Sequence, residues 1–159
     1  VNTTTTNSLT DDHYLHRTVA LGSTFSIGFK LKVTKETSIN TFIRFLWFFG
    51  NEFSLDSSHN LISSDGTSNN FSVSDVDQFS TWTSVVYNVI QGGQSTIYLN
   101  GRSKSTHDQF KFSTSDPDLI KLGLLAVGGD EKLNGLKFKN FFVMNRKLTE
   151  EEIILLADE

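Results

Sequence analysis

The sequence contains aromatic and polar side chains of the types that hold sugars. An exposed aromatic ring can lie against the C–H face of a pyranose, and a phenol adds a hydroxyl for the polar edge of the sugar. Loop amides and guanidinium groups can hydrogen-bond to neighbouring sugar hydroxyls. The candidates for such a ligand-binding site are Tyr14, Trp47, Tyr98, Asn100 and Arg102.

Each candidate also has a structural interpretation. Tyr98 lies between two apolar residues of an alternating segment, so it should point outward from its sheet, where an ordinary surface tyrosine is an equal alternative. Asn100 precedes Gly101, and Asn-Gly is above all a tight-turn sequence. Trp47 lies in a strongly apolar segment, where a core position is the main alternative.

Acidic residues in loop sequences suggest calcium, which takes about six to eight oxygen ligands. The spacing of these acids does not extend to that of an EF-hand, and loop carboxylates are usually solvated turn residues. Calcium binding is thus one possibility, and we expect that the domain requires no cofactor. The candidate ligands are Asp75, Asp77, Asp130 and Asn134.

Catalysis has the least support in the sequence. A glycoside hydrolase of this kind needs two carboxylates on one face of a strand, about 5 Å apart for retention of configuration. No strand segment offers that pattern, and the dense acids at 150–152 are explained by the start of a helix. The chain also lacks cysteine and has no nucleophile-elbow or phosphate-loop motif. We predict that it is not an enzyme.

Composition narrows the class of protein further. The 159 residues suit one domain, and 14 Lys and Arg against 18 Asp and Glu leave a net charge of −4 without a basic block. Nucleic-acid binding is therefore not expected. No apolar run approaches the roughly 18 residues of a membrane span, so membrane insertion is not expected either. Fourteen Phe, a single Pro and many Ser, Thr and Asn are typical of an all-β domain.

The elements that must position these residues are mostly short strands. Residues 1–17 are interpreted as a flexible Thr-rich leader, and residues 18–159 as a single β-sandwich domain. Apolar residues alternate over 25–33, which predicts a half-buried strand. The segment 42–49 is apolar at both parities, so both of its faces should be covered.

Turn and cap sequences complete the architecture. Gly92-Gly93 and Asn100-Gly101 predict tight hairpins. Thr149 followed by Glu152 is a capping box, which predicts a short C-terminal helix. We expect this helix to cover part of the 42–49 strand. About ten strands with such turns indicate an all-β, two-sheet antiparallel sandwich with the C-terminal helix packed on it.

Two segments carry a resemblance to a known family. The first runs from Trp82 through the two glycines to Tyr98-Leu99-Asn100-Gly101, and the second runs from Leu133-Asn134-Gly135 to the capping box and Ile153. Over roughly residues 20–155 they resemble the concanavalin A-like lectin/glucanase superfamily in its laminin-G-like form. The resemblance implies a jelly-roll topology, a core position for Trp82 at the start of an inner strand, and a calcium site at a loop edge.

The resemblance, taken together with the missing acid pair, indicates a non-catalytic, lectin-like domain that binds glycans or glycoproteins. Such sites are weak singly, so oligomeric display through a parent protein would add avidity. An attachment protein outside the cell, at a cell or virion surface, fits this interpretation by analogy of fold. The alternatives are a laminin-G-like module that recognises proteins without sugar, and an atypical glycoside hydrolase or lyase.

Overall fold

A computed structural model describes most of the chain as two antiparallel sheets and a C-terminal helix, which confirms the predicted all-β sandwich. The described residues are 13–18, 21–33, 42–48, 51–56, 58, 60–64, 69–73, 80–108, 119–125 and 136–158. In chain order their elements are β1 (His13–Thr18), β2 (Thr24–Val33), β3 (Phe42–Phe48), β4 (Asn51–Asp56), β5 (Leu61–Ser64), β6 (Asn69–Val73), β7 (Thr83–Ile90), β8 (Ser95–Leu99), β9 (Arg102–His107), β10 (Leu119–Leu125), β11 (Leu136–Met144) and α1 (Glu150–Asp158).

Two sheets stack face to face. One has the strand order β11-β2-β7-β8-β9 and is called the helix-covered sheet below, because α1 packs on its outer face. The other, the opposite sheet, has the order β1-β10-β3-β4-β5-β6. β1 pairs with β10 through residues 13–17, which the sequence assigns to the leader. The remainder of that predicted leader, residues 1–12, lies outside the described residues.

The core between the sheets is rich in aromatic rings. Phe29 of β2 meets Phe45 and Phe53 of the opposite sheet edge-on, with ring centroids 5.8 and 5.9 Å apart. Its third ring contact, with Phe138 of β11, is at 6.2 Å. Edge-to-face pairs at this distance add to the stabilisation that comes from burying apolar area. Several of the numerous phenylalanines therefore pack together at the centre of the sandwich.

A β-bulge in β3 brings two successive apolar residues of this strand into the core. Arg44 pairs with Ser54 and Leu46 pairs with Phe53, so β3 has one residue more than β4 at this point. Phe45 and Leu46 both join the core, although neighbouring residues of a regular strand point to opposite faces. The side chains at the described core positions of β3 thus need no second layer.

The expectation that the C-terminal helix covers strand 42–49 is wrong. α1 lies on the other side of the molecule, on the outer face of β7 and β8, where Ile153 and Leu148 pack against Val86 and Tyr98. These apolar residues of β7 and β8 point away from the core, so the outer face of the sheet is apolar where the helix lies. The helix packs on the same sheet as β11, the strand that precedes it in sequence, as short connections favour.

Candidate functional site

An open cleft lies beside the N-terminus of α1. It has a volume of about 310 Å³ and is lined by residues from β8 and from the start of the helix. Its walls offer a phenol, an ammonium group, a carboxylate and an aliphatic side chain, which together can meet both the polar and the apolar faces of a ligand. The lining residues are Tyr98, Lys147, Leu148, Thr149 and Glu150.

A buried hydrogen-bond network positions the segment that forms one wall of the cleft. The Ser26 hydroxyl lies 2.6 Å from Asn88 Oδ1 and 2.8 Å from the Arg146 carbonyl oxygen. Asn88 Nδ2 donates to the Leu148 carbonyl at 2.9 Å, and the Leu148 N–H lies 3.1 Å from Ser26 Oγ. Because these polar groups are buried and paired, the connection between β11 and α1 is held in one place.

The start of α1 is fixed by the predicted capping box. The Glu152 N–H donates to Thr149 Oγ1 at 3.2 Å, and the Thr149 N–H donates to Glu152 Oε2 at 2.9 Å. Arg146 grips the same carboxylate with both of its terminal nitrogens, at 2.6 and 2.8 Å. The Arg146 guanidinium and then the Thr149 N–H lower the pKa of Glu152 to about 2. Thr149 and Glu152 are thereby committed to the helix start, whereas Lys147 and Glu150, which line the cleft, take no part in the capping box.

Tyr98 is placed on the outer face of its sheet, as its alternation with Ile97 and Leu99 predicts, but that face is covered by the helix. Only 6% of the residue is exposed. Burial, followed by the nearby carboxylate of Glu150, raises the pKa of the Tyr98 phenol, so its hydroxyl stays protonated. With so little of its surface exposed, Tyr98 does not offer the open ring face that stacking on a sugar requires. A ligand-binding role for Tyr98 stays a prediction.

Asn100 and Arg102 flank the tip of the β8–β9 hairpin. Asn100 and Gly101 both adopt positive φ, 48° and 77°, as the tight turn requires. Asn100 Oδ1 accepts the Ser84 N–H at 2.9 Å, so this amide oxygen stabilises the turn. Arg102 is the first residue of β9 and is exposed at the surface. A ligand-binding role for either residue stays a prediction.

Trp82 is not in the core, contrary to the resemblance. It precedes β7 and is 38% exposed, and Lys139 Nζ lies 4.7 Å from the centre of its ring. Thr83 begins the strand and turns inward, so its neighbour Trp82 falls on the outer side. No local pattern in the chain indicates this lysine contact, because β11 is more than fifty residues away in sequence.

The other predicted site residues do not join the cleft in the part of the chain that the structure describes. Tyr14 occupies β1 opposite Gly123, and Trp47 occupies β3 opposite Lys121. The predicted calcium ligands lie outside the described residues, and calcium binding stays a prediction. Those ligands are Asp75, Asp77, Asp130 and Asn134. Among the described residues, no group of three or more His, Cys, Asp or Glu side chains could hold a metal ion.

Sequence reasoning missed the polar residues of the cleft. Lys147 and Glu150 flank the capping box, where acids and bases have an ordinary role at a helix start. A signal was present in the sequence, since a capping box next to a strand end implies a chain reversal with exposed polar groups. Only the packing of α1 against Tyr98 makes this reversal one wall of a cleft.

Comparison with solved structures places the fold among toxin binding domains. The botulinum neurotoxin serotype D/C VPI 5993 binding domain matches with a TM-score of 0.66 and 17% identity, over 86% of this chain and 36% of that one. The botulinum neurotoxin DC binding domain matches with a TM-score of 0.64 and 18% identity, both in complex with rat synaptotagmin II and in complex with SialylT. These two matches cover 86% of this chain and 35% of theirs, so the chain spans about a third of their length.

The family named from the sequence is corrected by these matches. The similar solved structures include binding domains of botulinum neurotoxins, and the concanavalin A-like, laminin-G assignment agrees with the two-sheet sandwich only in general architecture. No protein-family model and no curated protein matches the chain. Within the described residues, no helix is long and apolar enough to cross a membrane. At identities of 14–18%, the comparison establishes the fold of this chain.

Proposed function

We propose that this chain is a non-catalytic, extracellular receptor-binding domain whose ligand is a glycan or a glycoprotein. The observation that carries the proposal is the sandwich fold shared with neurotoxin binding domains, of which the DC domain was solved both with rat synaptotagmin II and with SialylT. The cleft beside α1 supplies a location, because it combines an aliphatic wall with donors and acceptors suited to a hydroxyl-rich ligand.

Lys147 and Glu150 are the residues that we expect to contact the ligand. The Glu150 carboxylate can accept hydrogen bonds from two neighbouring hydroxyls, and the Lys147 ammonium can donate to ring or hydroxyl oxygens. Leu148, which is only 2% exposed, is the aliphatic residue of the cleft lining. The buried network of Ser26 and Asn88 holds this wall in place before a ligand arrives, which lowers the entropic cost of binding.

Two matched substitutions test the cleft. Glu150→Gln and Glu151→Gln each remove one acid from the first turn of α1, so they weaken the favourable interaction with the helix dipole equally. Only Glu150 lines the cleft. On a glycan array and against immobilised glycoproteins, we expect Glu150→Gln to weaken binding by about three- to tenfold, as the loss of a charge-assisted hydrogen bond does, and Glu151→Gln to have no effect.

Three outcomes contradict the proposal. If the wild-type chain bound no glycan and no glycoprotein, the proposed class of ligand would be wrong. Equal effects of the two substitutions would remove the cleft as the site. Turnover of any bound glycan would overturn the non-catalytic assignment.

Recognition of a protein without sugar is a second candidate, favoured by apolar exposure on α1. Ile154 is 49% exposed and Leu155 is 67% exposed, side by side on the helix that borders the cleft. Exposed neighbouring apolar side chains are typical of protein interfaces. Leu155→Ser should weaken binding to a glycoprotein, and also to its deglycosylated form, if this candidate is correct. An effect of Glu150→Gln confined to the glycosylated form would exclude it.

A further inference from the structure

Lysines stand in cross-strand pairs on the outer face of the helix-covered sheet, beyond the C-terminal end of α1. Across the β2–β11 ladder, Lys30 pairs with Lys139 and Lys32 pairs with Lys137. Phe29, Leu31 and Val33, which alternate with the lysines of β2, and Phe138, which lies between those of β11, are buried in the core between the sheets. Because side chains alternate along a strand, all four lysines belong to the outer face.

Lys30 has a polar partner in the fold, whereas Lys32, Lys137 and Lys139 have none in the part of the chain that the structure describes. Lys30 is 7% exposed, and its Nζ donates to the Ala157 carbonyl oxygen at 3.2 Å, at the negative end of the α1 dipole. Among the described residues, Lys32, Lys137 and Lys139 form no ion pair and no hydrogen bond through their side chains. Like charges that face each other across strands destabilise a sheet. The Lys32–Lys137 pair therefore has an energetic cost that no described acid offsets.

An exposed tryptophan adjoins these lysines. The β2–β7 ladder ends where Leu31 pairs with Thr83, so Trp82, which directly precedes β7, comes next to Lys32. Lys139 Nζ lies 4.7 Å from the centre of the Trp82 ring, within the range of a cation–π interaction. We name the group formed by Lys32, Lys137, Lys139 and Trp82 the lysine–tryptophan surface.

We propose that the lysine–tryptophan surface binds an acidic glycan, a sugar chain that carries several carboxylate or sulfate groups. Neighbouring positions are about 5 Å apart across the strands and about 7 Å apart along them, so the cations form a flat array. Such an array fits several anionic groups along one chain better than one enclosed anion. A lysine ammonium is a point charge with flexible reach, so it accepts a carboxylate or a sulfate. The Trp82 ring supplies an apolar face for a pyranose.

The small apolar area of this surface favours a soluble sugar chain over a membrane as the ligand. Peripheral membrane binding depends on burying substantial apolar area in addition to charge attraction. The other large apolar side chains with high exposure in the described ranges lie elsewhere: Met144 at the far end of β11, and Ile154 and Leu155 on the helix. Trp82 alone offers little to insert.

This surface is separate from the cleft. The cleft lies at the N-terminal end of α1, and Lys30 meets the C-terminal end. The nine residues of the helix separate the two ends by about 14 Å. A ligand at one site therefore leaves the other accessible, and each can be tested without the other.

The test measures binding of the whole chain to defined oligosaccharides by calorimetry. The probes are a heparin-derived octasaccharide, which carries sulfates and carboxylates, an octamer of sialic acid, which carries carboxylates, and neutral maltooctaose. We expect binding to one or both acidic probes, none to the neutral one, and weaker binding at higher salt because ions screen exposed charges. Binding to both would show that charge decides, and binding to heparin alone would identify sulfate as the preferred group.

Matched substitutions locate the binding. Lys137→Gln and Lys139→Gln should each weaken binding by about three- to fivefold, as loss of an exposed charge pair does, and the triple change with Lys32→Gln by more than about tenfold. Lys104→Gln, which removes the same charge from exposed β9 at the far edge of the sheet, should leave binding unchanged. Trp82→Ala should weaken binding, whereas Trp82→Phe should retain most of it.

A stability measurement separates binding from folding. Lys137→Gln should keep or raise the melting temperature, because it removes a like-charge pair, while it weakens binding. If Lys137→Gln lowered both the melting temperature and the affinity, the lysine would have a structural role and the proposal would be overturned. Equal effects of Lys104→Gln and Lys137→Gln would also overturn it. Binding to phosphatidylserine-containing vesicles, without binding to either acidic octamer, would show that the ligand is a membrane and not a sugar chain.

Discussion

At the residue scale, the side chain of Asn88 joins three segments that are distant in sequence. It lies 2.6 Å from the Ser26 hydroxyl, and it holds the carbonyl and N–H groups of Leu148 at 2.9 and 3.2 Å. Asn88 is 1% exposed, so water cannot replace these bonds. Asn88→Ala should lower the free energy of unfolding by about 2–4 kcal/mol, because buried partners are left unsatisfied. Urea unfolding measures the change.

An exposed amide provides the control for Asn88. Gln94 Nε2 donates to Asp108 Oδ1 at 2.9 Å on the surface, where water can take over the bond. Gln94→Ala should therefore change the free energy of unfolding by less than about 0.5 kcal/mol. Similar losses for both variants would show that the Asn88 network does not hold the connection to α1.

Glu152 predicts a pH dependence of stability. Its pKa falls from 4.5 to about 2 in the folded chain, mainly through Arg146. A lowered pKa stabilises the folded state above the unfolded value, and this contribution disappears as the pH falls from about 4.5 to about 2. The melting temperature of Glu152→Gln should lie below that of the wild type at neutral pH, and the difference should shrink through this window. A difference that is constant from neutral pH down to about 2 would contradict the prediction.

At the scale of elements, β-bulges decide which faces the side chains occupy. In β11 the register moves from Lys139–Lys30 to Phe142–Gly28, which inserts one residue near Asn140. Asn140 has a φ of 54°, a conformation that asparagine tolerates better than most residues. Phe138 therefore enters the core while Phe142 packs on the outer face, although four residues apart on a regular strand they would share a face.

Gly28 accommodates the ring that this bulge sends outward. A Cβ at residue 28 would overlap the Phe142 ring, so Gly28→Ala should lower the free energy of unfolding by about 1–3 kcal/mol. In a Phe142→Leu background the same change should have a smaller effect, because the smaller side chain gives way. Urea unfolding of the single and double variants yields the coupling energy.

Gly92 gives the contrast for Gly28. It has a φ of 71°, and apart from its two chain neighbours no described residue lies within 4 Å of the place that a Cβ would take. Gly92→Ala should therefore lower the free energy of unfolding by about 1 kcal/mol through backbone strain alone. Phe142→Leu should not change that loss. If the two glycine substitutions responded equally to Phe142→Leu, the close approach of the ring to Gly28 would not be the cause.

Element identity is more predictable from the sequence than element placement. The alternation over 25–33 predicts β2, and the capping box predicts α1, because both signals are local. The sequence assigns most of β1 to the leader, since its residues are largely polar and its strand state comes from pairing with β10. The prediction that the helix covers strand 42–49 is wrong, because α1 packs on the sheet that does not contain β3. The extra residue in β3, which puts Phe45 and Leu46 both in the core, leaves no mark in the composition.

At the scale of the whole molecule, a net charge of −4 conceals a segregation of charge. Three acids occupy the first turn of α1, at the cleft end of the outer face. The lysines of β2 and β11 lie beyond the other end of the helix. The overall composition therefore gives no hint of a cationic surface. The surface exists because antiparallel pairing brings residues 30–32 and 137–139 together, although they are far apart in the sequence.

The sequence by itself determined the fold class and the local elements of this protein. Strand alternation, the Asn-Gly turn and the helix cap are set by interactions within a few residues, so they can be deduced from the chain alone. Tertiary structure decided which residues form the cleft and the lysine–tryptophan surface. Their members meet through long-range pairing and through bulges that change parity, and a change of parity reverses the face on which every later side chain lies.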